Sequence, residues 1–213
     1  MRFDTPLPID DALPALAAAL AGGAGAVLVA PPGAGKTTRV PLALLEAPWR
    51  QDRRIIMLEP RRLAARGAAE RMAKTLGEPV GATIGLRARL NVKVSARTRI
   101  EVVTEGVFAR MILDDPSLEG VAAVLFDEFH ERSLDADLGL ALALDAQAGL
   151  RDDLRLLVMS ATLDGARVAS LLGEGVPVIQ SEGRMFPVET RYLGRDTRER
   201  LEPQVASAIL RAL

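Results

Sequence analysis

Residues 26–38, Ala26-Val27-Leu28-Val29-Ala30-Pro31-Pro32-Gly33-Ala34-Gly35-Lys36-Thr37-Thr38, decide how this chain is read. The apolar run 26–30 reads as a buried strand, and a helical stretch over 36–45, stopped by Pro48, follows the glycines directly. Glycines at 33 and 35 let the backbone turn its N–H groups inward, where a Cβ would collide with a bound oxyanion. The helix N-terminus adds partial positive charge. Lys36 is then placed to neutralise β- and γ-phosphates, and the Thr37 hydroxyl to sit on Mg²⁺. Gly33, Ala34, Gly35, Lys36, Thr37 and Thr38 are therefore the expected nucleotide contacts, for ATP with Mg²⁺. The strict form of this loop has glycine at position 30, where this chain has alanine. The competing reading is a glycine-rich turn that merely caps a helix.

Outward from this loop, short apolar runs alternate with amphipathic ones, the pattern of a parallel sheet covered by helices on both faces. Strands are expected over 26–30, 55–58, 99–103, 121–126, 154–159 and 176–179. Helices are expected over 11–20, 36–45, 64–76, 106–113, 135–147 and 164–172. From Ser181 the character changes: Glu182-Gly183-Arg184, Pro187 and the charged run 195–200 look like a linker, with a helix starting near Pro203. The expected organisation is one α/β domain over 1–183 and, over 184–213, a linker and the first segment of a second unit.

The strand 121–126 runs into Asp127-Glu128, so both carboxylates belong at the C-terminal edge of the sheet, where such folds bind ligands. A first carboxylate there can hold Mg²⁺ through water, and a second can orient or deprotonate an attacking water. Asp127 takes the first role and Glu128 the second. Ser160-Ala161-Thr162 ends another buried strand on that edge, and its hydroxyls can reach groups around the acidic pair. His130 is the only histidine of the chain. Taken alone, a lone histidine or a Ser-Ala-Thr turn more often serves structure than chemistry.

Composition sets the limits. With 213 residues, 49% hydrophobic and 26% charged, the chain is an ordinary globular one with room for a single good-sized core. Aromatic residues make up only 3%, which argues against base stacking on a broad aromatic platform. The net charge of −1 leaves no global attraction to nucleic acid, so such a partner must rely on local clusters. One exists: Arg87, Arg89, Lys93, Arg97 and Arg99 fall in a stretch without acidic residues between Glu78 and Glu101. Cysteine is absent, which fits a reducing cytoplasm, and no apolar run approaches the roughly 20 residues of a membrane span.

Taken together, the segments resemble the N-terminal RecA-like domain of superfamily 2 helicases of the DEAH/RHA group. Gly33-Ala34-Gly35-Lys36-Thr37-Thr38 is similar to motif I, and Glu59-Pro60-Arg61-Arg62-Leu63-Ala64-Ala65 to motif Ia. Thr104-Glu105-Gly106 is similar to motif Ib, Asp127-Glu128-Phe129-His130 to motif II, and Ser160-Ala161-Thr162 to motif III. The details look most like the bacterial HrpB-type ATP-dependent RNA helicases. Phe129 stands where the group's namesake motif has alanine, and the stretch from Ser181 to Glu189 resembles that branch's exit from the first domain.

The resemblance implies a RecA-like P-loop NTPase fold, with Lys36, Asp127, Glu128 and His130 as the catalytic set. It implies that His130, Ser160 and Thr162 couple nucleotide state to a facing domain, and that Arg71 packs against the adenine base. Arg61 or Arg62, with Thr104, would contact the backbone of single-stranded RNA without reading its sequence, and Arg87 would extend that track. It also implies a second RecA-like domain in the same protein, which supplies the arginines that complete the ATPase site; nothing over 184–213 resembles those motifs. Without them this chain is expected to bind nucleotide but hydrolyse it poorly. Two other readings remain open: a nucleotide-responsive binding module without turnover, and a P-loop phosphotransferase acting on a small molecule.

Overall fold

The computed structural model describes residues 3, 5–162, 165–183, 188–194, 198 and 200–212. The strands are β1 (Gly25–Val29), β2 (Arg54–Glu59), β3 (Ile84–Ala88), β4 (Asn91–Lys93), β5 (Ile100–Thr104), β6 (Val121–Phe126), β7 (Arg155–Ser160) and β8 (Val178–Gln180). They form one sheet in the order β4-β3-β5-β2-β6-β7-β1-β8. Every pairing is parallel except β3 with β4. Between them run α1 (Leu13–Gly22), α2 (Lys36–Leu44), α3 (Arg62–Thr75), α4 (Glu105–Asp114), α5 (Leu134–Gly149) and α6 (Gly165–Leu172), followed by α7 (Leu201–Ala212).

A parallel strand needs a crossover, and each crossover helix must bury an apolar stripe on the sheet. Alternation along the strands separates the two faces. Ile55, Met57, Ile100 and Val102 pack with Leu16, Val40 and Ala69 of α1 to α3. Ile56, Leu58, Val103 and Val124 pack with Phe108, Ile112 and Leu140 of α4 and α5. The central strand β6 is buried along its whole length, as its uninterrupted apolar sequence requires. The expected doubly covered α/β fold is thus present.

The sheet gains two strands that the sequence reading omitted. β3 and β4 form an antiparallel hairpin at one edge, with Leu86 opposite Lys93 and Ala88 opposite Asn91. Glycine at 85 and arginines at 87 and 89 disguise β3, and the turn places Leu90 at φ 64°. Two of the predicted segments reach outside the described residues: Asp164, the expected start of α6, and Arg184 to Pro187 with most of the charged run 195–200. Beyond them α7 buries none of its residues. No described helix is long and apolar enough to cross a membrane.

Candidate nucleotide and nucleic-acid site

The strand order brings the quoted motifs together. β7 lies between β1 and β6, so Ser160 at its end stands between the glycine-rich loop after β1 and the acidic pair after β6. β2 flanks β6 on the other side, with Leu58 paired to Phe126. That register puts Glu59 beside Asp127.

In the loop, Gly33 and Gly35 take φ values of 78° and 102°, a left-handed conformation that side chains resist. Ala30 stays out of that region, which explains why alanine serves at a position where the strict motif has glycine. Lys36, only 4% exposed, donates from Nζ to the carbonyls of Ala30 at 2.7 Å and Pro31 at 3.5 Å. The Thr38 N–H donates to the Gly35 carbonyl at 3.3 Å, closing the first turn of α2.

Thr37 Oγ1 donates to Asp127 Oδ2 at 2.5 Å. The other Asp127 oxygen accepts from the Glu128 N–H at 2.9 Å, and the Asp127 N–H is anchored on the Leu58 carbonyl at 3.1 Å. Burial pushes the Asp127 carboxyl up from its ordinary value, and the Thr37 hydroxyl pulls it back. Glu59, 2% exposed, is pushed up to about 9, first by burial and then by the neighbouring charges of Asp127 and Glu128. It therefore carries a proton near neutral pH, while its Oε1 has no hydrogen-bond partner among the described residues. Sequence reasoning assigned Glu59 no role. Two adjacent strands that both end in an acid were the available signal.

Glu128 sits in the left-handed region at φ 49°, ψ 34°, a costly conformation for a non-glycine residue and one that clusters at functional sites. The turn it starts, a 3₁₀ helix Phe129–Glu131, carries His130 back towards Ser160-Ala161-Thr162. His130 Nδ1 accepts the Ala161 N–H at 3.2 Å and lies 3.4 Å from Glu128 Oε2. The bridge to the third strand end thus runs through the Ala161 backbone. The Ser160 and Thr162 hydroxyls instead pair with each other at 3.3 Å. Phe129 turns away from the cleft and packs edge-on against Phe126, which is itself edge-on to Phe108. Its size is therefore taken up by the core, and the charged positions around it keep their places.

Thr37, Lys36, Gly33, Glu59, Glu128 and Arg71 line one cleft of about 570 Å³, within the usual range for a small-ligand site. Arg71 reaches it from α3 as an exposed side chain. Thr104 pairs in register with Glu59, so the starts of α3 and α4 are adjacent. The two candidate arginines at the α3 start differ. Arg61 is held by both carboxylate oxygens of Glu131, at 2.9 and 3.0 Å, on the cleft side, whereas Arg62 is exposed beside it. Arg87, expected on the phosphate track, is paired within the fold. Its Nε donates to Glu101 at 2.5 Å, and Arg54 holds the other Glu101 oxygen at 3.0 Å. Arg89 at the tip of the β3–β4 hairpin is the exposed cation nearest to that role, just past the level of Thr104.

The DEAD/DEAH box helicase family matches residues 11–171, the span that contains all five segments. The chain belongs to that family. Among its members, the ATP-dependent RNA helicase HrpB of Escherichia coli is 55% identical over 95% of this chain and 25% of its own length. The ATP-dependent RNA helicase DHX30 of Gallus gallus is 37% identical over 88% of this chain and 16% of its own. The crystal structure of the E. coli DEAH/RHA helicase HrpB superposes with a TM-score of 0.89 at 53% identity, covering 98% of this chain and 26% of that one. The chain is thus similar to the N-terminal RecA-like domain of DEAH/RHA helicases and spans about a quarter of the length of the E. coli relative.

Proposed function

We propose that this chain is the ATP-binding RecA-like domain, over residues 1–183, of an ATP-dependent RNA helicase, and that residues 184–213 begin a second RecA-like domain. The observation that carries the proposal is the Thr37–Asp127 hydrogen bond. It joins a phosphate-cradling loop to an acidic strand end 90 residues later, as nucleotide hydrolysis needs and phosphate binding alone does not.

The donor set suits Mg²⁺: a hydroxyl and a carboxylate, both hard oxygens. Among the described residues no cluster of three or more ligating side chains could hold a metal by itself, and Mg²⁺ commonly takes one or two protein oxygens plus phosphate and water. Thr37 and Asp127 would hold the ion, which when bound neutralises charge on the transferring phosphoryl group. The Gly33 to Thr38 loop binds and orients the triphosphate, and Lys36 exchanges its carbonyl partners for phosphate oxygens. Glu128 takes the proton of the attacking water. His130, through Ala161, transmits the state of that step to Ser160 and Thr162, and Arg71 lies against the base. Arg62 and Thr104 contact single-stranded RNA through its phosphates, with Arg61 and Arg89 as further cations beside them. A cytoplasmic setting fits the absence of cysteine.

The test is ATP hydrolysis with and without single-stranded RNA, for this chain and for the same chain joined to a second RecA-like domain, with Glu128→Gln as control. RNA-stimulated turnover only in the longer protein, lost in Glu128→Gln, is the expected result. Rapid turnover by the 213-residue chain would mean that the site is complete without a facing domain.

A further inference from the structure

The segment that precedes α1 lies against the nucleotide loop. Its 3₁₀ turn, Pro8–Ala12, carries Ile9 into the core. The Ile9 N–H donates to the Ala34 carbonyl at 3.1 Å. A Cβ on Gly35 would stand 2.7 Å from Leu7 Cδ1 and 3.2 Å from Ile9 Cγ2, so both side chains press on that glycine. Leu7 also lines the nucleotide cleft. The segment is itself tied down: Arg39 of α2 donates to the Thr5 carbonyl at 2.5 Å and stacks 3.9 Å from the Phe3 ring. From the far end of the domain, Ser181 Oγ donates to the Pro8 carbonyl at 3.1 Å.

We infer that residues 5–12 form a strap that holds the phosphate loop in its binding shape, with Leu7 and Ile9 as positioning residues. The peptide plane gives the reason. All described peptide bonds are trans, so the Ala34 carbonyl and the Gly35 N–H point in opposite directions. Fixing that carbonyl outward on Ile9 aims the Gly35 N–H into the cleft. The Ala34 N–H is already spent on the Pro31 carbonyl at 3.2 Å, which makes the direction of the next amide matter more. The loop is also braced from inside by Lys36 on the carbonyls of Ala30 and Pro31. Phosphate draws Lys36 away from those carbonyls, and the strap is then the brace that remains.

The inference rests on nucleotide binding by this loop, so the experiment separates the two. ADP and AMP are titrated calorimetrically into wild type, Lys36→Ala, Leu7→Ala and Leu7→Met, with the Gly35 amide followed by ¹⁵N NMR. Leu7→Ala should weaken ADP about tenfold, the value of one well-aimed hydrogen bond. AMP, whose single phosphate engages the cradle less, should change little. The Gly35 amide shift of ADP-bound Leu7→Ala should move towards its unliganded value, and Leu7→Met should restore both readings. If wild type and Lys36→Ala bind ADP equally poorly, the nucleotide reading itself fails. If wild type binds ADP and a folded Leu7→Ala matches it, with the Gly35 shift unmoved, the strap alone is refuted. Should Leu7→Ala not fold, Ser181→Ala, which frees the strap from outside the loop, must show a smaller loss of the same kind or the inference falls.

Discussion

Two glutamates on neighbouring strands, Glu101 of β5 and Glu59 of β2, are buried to almost the same degree, at 0% and 2% exposure, and are treated in opposite ways. Glu101 has an arginine on each oxygen, Arg87 at 2.5 Å and Arg54 at 3.0 Å, so its charge is neutralised within the fold. Glu59 has no cation paired with it among the described residues. It faces Asp127, Glu128 and Glu131, is held protonated, and leaves one oxygen without a protein partner. A carboxylate that serves only the fold is matched by the fold. One at the edge where ligands bind is left mismatched, and the mismatch is tolerable because a bound cation and phosphates would change the local charge.

The largest effect should come from stripping Glu101 of its partners. The double replacement Arg54→Ala, Arg87→Ala leaves a buried carboxylate unpaired, which costs about 3–5 kcal/mol, measurable as a fall in the urea midpoint. Either single replacement should cost much less, because the remaining arginine still reaches one oxygen. Equal losses from the single and double variants would show that the pair does not act as a clamp.

Glu59 should respond with the opposite sign. Its folded value lies near 9 against an ordinary value near 4.3. Between those pH values the unfolded chain releases a proton that the folded one keeps, so stability is highest at low pH and is lost as pH rises towards 9. Glu59→Gln removes this cost at nearly the same side-chain volume. The variant should therefore gain stability relative to wild type as pH rises from about 5.5 to about 8.5, because only wild type gives up the bound proton over that range. A pH-independent difference in melting temperature would refute the assignment of a protonated Glu59.

These contrasts mark where sequence was legible. The phosphate loop and the acidic pair could be read because their chemistry is written in consecutive residues next to an apolar strand, and the sheet supplied the geometry. The ion pair of Arg87 could not be read because its partner lies 14 residues on in the next strand, and a run of cations carries no sign of a carboxylate beneath it. The hairpin β3–β4 was missed for a related reason, since arginines on a strand that faces a buried glutamate break the expected alternation. Glu59 and the strap depend on strand register and on contacts between residues 7–9 and 34–35, which no local pattern encodes. Phe129 stands in the motif where alanine is usual, and nothing in the local sequence shows that its ring joins the core.

The smallest stability effect belongs to the exposed counterpart of the Glu101 clamp, the Arg61–Glu131 pair. Arg61 is 72% exposed, and such pairs contribute no more than about 1 kcal/mol. Arg61→Ala should leave the melting temperature almost in place, where the same change at Arg54 together with Arg87 does not. RNA affinity supplies the sharper reading. Arg62 is exposed at the start of α3, with no ion pair among the described residues, so Arg62→Ala should weaken RNA binding and flatten its salt dependence by about one phosphate contact. Arg61, held by Glu131, should matter less. Releasing it with Glu131→Ala should strengthen RNA binding, and adding Arg61→Ala on that background should cancel the gain. If instead Arg61→Ala alone weakens RNA as much as Arg62→Ala does, Glu131 is no restraint. The two arginines would then serve the phosphates together, with no division of labour at this helix start.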